Sequence, residues 1–240
     1  MLSLDHVSFS VSTENGKKQI LKNVSFTIDR PFTVITGPNG GGKSTIAKLI
    51  AGIYRPDSGR ICLNGKDITD LGVTERAKSG ISYAFQTPVR FKGITVSDIL
   101  KIAAGRDLSV AESCEFLSSV GLCARDYLDR EINNSLSGGE LKRIEIATVL
   151  ARKTPFAVFD EPEAGIDLWS FNSLIKVFEN MRDAVHGSIV IISHQERILN
   201  IADRIIVISD GTVKKTGTRE EILPLLFSGD KLCDALKDKV

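Results

Sequence analysis

The chain has 240 residues, 42% of them hydrophobic and 25% charged, with 31 Lys and Arg against 30 Asp and Glu. That is globular composition with length enough for an unstapled core, and a net charge of +1 lacks the basic excess of a dedicated nucleic-acid binder. Apolar runs stay far below the roughly 20 residues of a spanning helix, and Met1–Asp5 shows no signal-peptide pattern, so a cytoplasmic place is expected, extending to the cytoplasmic face of a membrane.

Residues 2–36 read as β-rich. Val7, Phe9 and Val11 alternate with small polar residues, Asn15-Gly16 marks a turn, and Phe32–Thr36 is a short apolar run ending in glycine. A helix is expected from Lys43 to about Gly52, with Ile46, Leu49 and Ile50 on one face. Pro56-Asp57-Ser58-Gly59 reads as a turn, and Ile61–Leu63 with Asn64-Gly65 as a strand and turn. From Thr95 to Arg152 the pattern is mostly helical. Phe156–Phe159, Ser188–Ile192 and Ile205–Ile208 then read as strands between helical patterns near 170–185 and 195–202. Such alternation predicts an α/β fold with a mostly parallel sheet. Cys62, Cys114, Cys123 and Cys233 form no CxxC pair and read as structural thiols of a reducing compartment.

Three motifs carry chemistry. Gly37-Pro38-Asn39-Gly40-Gly41-Gly42-Lys43-Ser44-Thr45 fits G-x-x-x-x-G-K-[ST] between an apolar run and a helix. Its glycines let backbone N–H groups converge on phosphate oxygens at a helix N-terminus. Lys43 is expected to reach the β- and γ-phosphates, and Ser44 to ligate Mg²⁺. Phe156–Phe159 leads into Asp160-Glu161, which places two acids at the carboxyl edge of a parallel sheet. Alone this pair is equally a surface turn. Downstream of a phosphate loop it reads as a magnesium ligand, Asp160, and a residue that polarises water, Glu161. Leu136-Ser137-Gly138-Gly139-Glu140 heads a helix; Ser137 and Glu140 make a capping box, while two glycines in a first turn cost stability unless something approaches closely.

The order GPNGGGKST, Gln86, LSGGE, VFDEPEAGID and His194 resembles the ATP-binding cassette ATPases over nearly the whole chain. That resemblance implies a P-loop core with an N-terminal antiparallel β subdomain and an inserted helical subdomain. Its expected limits are residues 1–86 and 153–240 for the core and 87–152 for the helical part. It further implies that Gln86 contacts Mg²⁺ or the attacking water, that His194 contacts the γ-phosphate, and that Ala164-Gly165-Ile166-Asp167 crosses a dimer interface. Ser137, Gly138 and Gly139 would complete the ATP site of a second protomer placed head to tail. The aromatic that often stacks on adenine is missing: spacing puts Val11 there, with Phe9 two residues before. Discrimination between ATP and GTP is expected to weaken.

Within the family, about ninety residues between Lys43 and Ser137 leave no room for long coiled coils, and the cysteines supply no zinc module. Two roles remain. The stretches Ala84–Val89 with Gly93, Gly138-Gly139-Glu140 with Lys142-Arg143, and His194–Leu199 resemble the Suf-type iron–sulfur cluster assembly ATPase, which docks on soluble scaffold proteins. The alternative is the nucleotide-binding subunit of a membrane transporter, with separate transmembrane subunits. In both, the partner is expected near Gln86–Gly105, and nucleic acid is not.

Overall fold

A computed structural model describes residues 1–14, 16–166, 168–184 and 187–227. Asp167, Cys233 and the turn residue Asn15 therefore lie outside the described residues. Two long strands open the chain, β1 (Leu2–Thr13) and β2 (Gly16–Ile28), followed by β3 (Phe32–Thr36) and helix α1 (Lys43–Ala51). Then come β4 (Ser58–Leu63), β5 (Lys66–Asp67), α2 (Val73–Lys78) and β6 (Ile81–Ala84). Four helices follow without an intervening strand: α3 (Val96–Ala104), α4 (Val110–Ser119), α5 (Ala124–Tyr127) and α6 (Gly138–Arg152). The rest alternates as β7 (Phe156–Asp160), α7 (Leu168–Ala184), β8 (Ser188–Ile192), α8 (Glu196–Leu199), β9 (Arg204–Ser209), β10 (Thr212–Gly217) and α9 (Arg219–Phe227).

These strands make two sheets. One is antiparallel, in the order β2-β1-β4-β5; the other runs β10-β9-β3-β8-β7-β6. All pairs in the second are parallel except β10 with β9. Every residue of β3 and β7 is buried, as a parallel strand covered on both faces requires. Alternate side chains feed two cores. Ile35, Val158, Val190 and Ile206 pack with α1 and the antiparallel sheet, whereas Val34, Phe159, Ile191 and Val207 pack with the helices from α3 to α7.

Two local expectations change. The turn at Pro56–Gly59 is shorter, because Ser58 already pairs with Ser8 in the antiparallel sheet and the Asp57 N–H reaches the Ser8 carbonyl at 2.8 Å. The pattern at 195–202 yields only the short α8, since the Asp203 N–H bonds the Phe32 carbonyl at 2.9 Å and draws the chain into β9. Behind the phosphate loop, buried Arg76 donates to the carbonyls of Leu49 and Ile50 in the last turn of α1, and to those of Thr69 and Leu71. A guanidinium thus satisfies carbonyls that a helix C-terminus leaves without partners.

Candidate active site

Strands β3, β8 and β7 end in line, with Ile35 opposite Ile192 and Ile192 opposite Asp160. The loops leaving them bring Gly37–Thr45, His194 and Asp160-Glu161 to one edge of the sheet. Gly37 has φ 138°, and a Cβ there would sit 1.8 Å from the Ile208 carbonyl oxygen, so only glycine fits. Gly42 caps α1 with φ 104° and no side chain bonds the first turn, which leaves its N–H groups open to an anion. The Gly41 carbonyl accepts the Gly211 N–H at 3.1 Å, and the Gly211 carbonyl accepts the Lys22 N–H at 2.8 Å. Asn39 and Gly40 at the loop tip are exposed, and Ser44 and Thr45 are half-buried. Lys43 is buried, with Nζ donating to the carbonyls of Gly37 at 2.8 Å and Pro38 at 2.9 Å. Burial lowers its pKa, against the opposing pull of Glu161 and Asp160.

Asp160 is 1% exposed and has both oxygens engaged: Ser44 Oγ donates to Oδ1 at 2.9 Å, and Tyr83 Oη to Oδ2 at 3.0 Å. Burial pushes its carboxyl up, and the two hydroxyls oppose that rise. A hard dication would offset the same desolvation, and an oxygen set of one carboxylate and one hydroxyl suits Mg²⁺, which takes its other ligands from water and phosphates. Tyr83 escaped the sequence reading. Its one signal was a phenol inside the short strand that leads to Gln86.

Glu161 holds φ 45°, a left-handed backbone rare for glutamate, fixed by its N–H bond to the Ile192 carbonyl at 3.0 Å. Gln86 Nε2 donates to Glu161 Oε2 at 2.6 Å. Gln86 therefore meets the acid in the structure rather than Asp160 or Ser44. His194 is exposed on a loop held from both sides: the Ser193 N–H bonds the Ile35 carbonyl at 3.2 Å, and Ser193 Oγ donates to Glu163 Oε1 at 2.5 Å and accepts the Gln195 N–H at 3.0 Å. Glu163, a buried acid the sequence reading missed, has its carboxyl raised by burial.

Ser137, Gly138 and Gly139 stand apart from this cluster. Ser137 and Gly138 are exposed at the N-terminus of α6, where Ser137 Oγ accepts the Glu140 N–H at 3.2 Å and Glu140 Oε2 accepts the Ser137 N–H at 2.7 Å. Gly139 faces Gly165, whose carbonyl oxygen would lie 3.2 Å from a Cβ. These residues thus form a second cluster, separate from the first. On β1, Val11 is half-buried and the Phe9 ring stacks on Tyr54 at 5.0 Å, so Phe9 is committed to packing.

A family model described as "ABC transporter" matches residues 21–164. The chain belongs to the ABC transporter family. It is 41% identical over 216 residues to an uncharacterized ABC transporter ATP-binding protein of Methanocaldococcus jannaschii, covering 86% of each chain. It is 35% identical over 220 residues to the probable ATP-dependent transporter ycf16 of Pyropia yezoensis, covering 85% of this chain and 87% of that one. Among solved structures, an ATP-binding cassette dimer in a post-hydrolysis state with ADP and phosphate superposes with a TM-score of 0.82 at 24% identity, over 91% of this chain and 99% of that chain. The fold is therefore that of an ABC cassette, and this ABC ATPase hydrolyses ATP. No helix among the described residues is long and apolar enough to cross a membrane.

Proposed function

We propose that this ABC ATPase is the ATP-hydrolysing subunit of a membrane transporter, working with Mg²⁺ as a head-to-tail dimer on separate transmembrane subunits. The observation that carries the reading is its identity with proteins named as a transporter ATP-binding protein and a probable ATP-dependent transporter over more than four fifths of their length. In this reading residues 1–86 and 153–240 form the catalytic core, and 87–152 the helical part that moves against it. Lys43 leaves the carbonyls of Gly37 and Pro38 for the β- and γ-phosphates, which the N–H groups of Gly40–Thr45 surround. Ser44 and Asp160 hold Mg²⁺, which supplies charge neutralisation on the phosphates. Glu161 accepts a proton from the attacking water through Oε1, while Gln86 keeps Oε2 in place. His194 donates to the γ-phosphate. Ser137, Gly138 and Gly139 meet the nucleotide of the partner protomer, with Asp167 and its loop at the interface. Contacts made to ATP and lost with ADP favour the closed dimer. The cell compartment follows the transporter: the cytoplasmic face of a membrane.

Iron–sulfur cluster assembly, the role expected from three sequence stretches, gains no support from the relatives named above. One of those stretches, Gly138-Gly139-Glu140 with Lys142-Arg143, has a local explanation. Glu140 completes a capping box and accepts from Tyr127 at 2.5 Å, and Lys142 lies inside the fold. The deciding experiment is capture of the tagged ABC ATPase from native cells, on soluble and detergent-solubilised membrane fractions separately. A multi-spanning membrane protein whose presence stimulates ATP turnover is expected. A soluble, iron-binding scaffold recovered instead would overturn the transport reading.

A further inference from the structure

Helix α6 contains a lysine with no solvent exposure. Lys142 is 0% exposed, and its Nζ donates to the carbonyl of Phe85. One turn on, Glu145 Oε1 accepts the Phe85 N–H at 2.7 Å, and Glu145 Oε2 lies 3.1 Å from the Lys142 ammonium. Burial pushes the Glu145 carboxyl up, and Lys142 acts against that. The peptide groups on both sides of one residue are thus held by a buried ion pair from a single helix.

A buried charge pair is weak evidence for stability, because desolvation offsets most of the attraction. Apolar residues would fill this space at least as well. What the pair does provide is a fixed geometry for the backbone immediately before Gln86, whose side chain reaches Glu161 at 2.6 Å. The same helix is capped by Ser137, five residues before Lys142. A displacement of α6 cannot leave Phe85 behind without breaking two charge-assisted hydrogen bonds, a class stronger than neutral ones.

We infer that Lys142 and Glu145 are positioning residues that clamp the Phe85 backbone to α6, so that the Gln86–Glu161 contact follows the helix bearing Ser137. The inference rests on the hydrolytic reading of Gln86 and Glu161. If it holds, an ABC ATPase lacking the clamp binds nucleotide normally but hydrolyses it poorly, and loses nothing more once Gln86 is gone.

The test is a double-mutant cycle in the full chain by single-turnover ATP hydrolysis, with nucleotide affinity measured by a fluorescent ATP analogue. Lys142→Met removes the ammonium. Lys142→Met/Glu145→Gln is the companion that leaves no buried charge unpaired and keeps an acceptor for the Phe85 N–H. Either variant is expected to lower the chemical rate by about tenfold to a hundredfold, with affinity changed less than about twofold. In a Gln86→Ala background the same substitutions are expected to change the rate by less than about threefold. Losses of equal size in both backgrounds, or an unchanged rate in the double variant, would overturn the clamp. Unimpaired hydrolysis by Glu161→Gln would instead overturn the reading of the site itself.

Discussion

Gln86 and Glu161 are 75 residues apart in sequence and 2.6 Å apart in space, joined by an amide donating to a carboxylate. The acid is held from below by its backbone at φ 45° and from the side by an amide anchored to a different part of the fold. Its geometry depends on two elements at once.

The backbone of Glu161 provides a test that separates stability from chemistry. A left-handed conformation costs a non-glycine residue about 1–2 kcal/mol, and the extra freedom of glycine in the unfolded chain gives back about 0.4–1 kcal/mol. Glu161→Gly should therefore gain roughly 0.5–1 kcal/mol in denaturant unfolding while ATP turnover disappears. A loss of stability would mean that the side chain, not the backbone, sets the local energy.

Gly138 is a second such case. It opens α6, has no positive φ, and nothing lies within 4 Å of a Cβ built there. Gly138→Ala should stabilise the isolated chain by about 0.5 kcal/mol, because alanine is the better helix former. If the glycine exists so that the partner's nucleotide can approach, the same variant should lose most of its ATP turnover and fail to dimerise with Mg·ATP in size-exclusion chromatography. Full turnover would remove Gly138 from the interface.

Nucleotide choice follows from Phe9 and Val11. With Phe9 stacked on Tyr54, no aromatic face on β1 is free for a base, and base stacking is worth about 1–3 kcal/mol where it occurs. ATP and GTP should turn over at similar rates at equal concentration. A strong preference for ATP would require a base contact outside β1.

The cap of α6 gives a pH dependence of defined sign. Glu140 titrates at about 2, held down first by Tyr127 and then by the N–H and hydroxyl of Ser137. Its folded pKa is below the ordinary carboxylate value, so its contribution is complete above that value and is lost as pH falls through about 2. Glu140→Gln should be less stable than the wild type at neutral pH, with the gap closing in acid. Urea unfolding between pH 7 and pH 2.5 measures this; a gap of constant size would assign the effect to packing rather than charge.

Motifs whose chemistry depends on near neighbours in sequence were legible. Gly37–Thr45, Asp160-Glu161 and Ser137–Glu140 are short, and each needs only its own strand–loop or loop–helix context. The apolar alternation of β1 and the buried runs of β3, β7 and β8 likewise follow from period and composition. β10 was missed because Thr212–Gly217 is polar and mostly exposed, paired on one side only. Nothing in the sequence marks Lys142 as buried; only folding shows that the Phe85 carbonyl takes its ammonium. Tyr83 is unreadable for the same reason, since its partner Asp160 is 77 residues away.

Backbone contacts from two neighbouring segments brace the phosphate loop. Gly41 is hydrogen-bonded to Gly211, Gly211 to Lys22, and Gly37 lies directly against Ile208. A loop cast in shape before the ligand arrives can hardly carry news that the ligand has come. In this ABC ATPase the message of occupancy has to leave by other parts: the tail of a lysine, an amide on a carboxylate, and a helix whose first residues face outward.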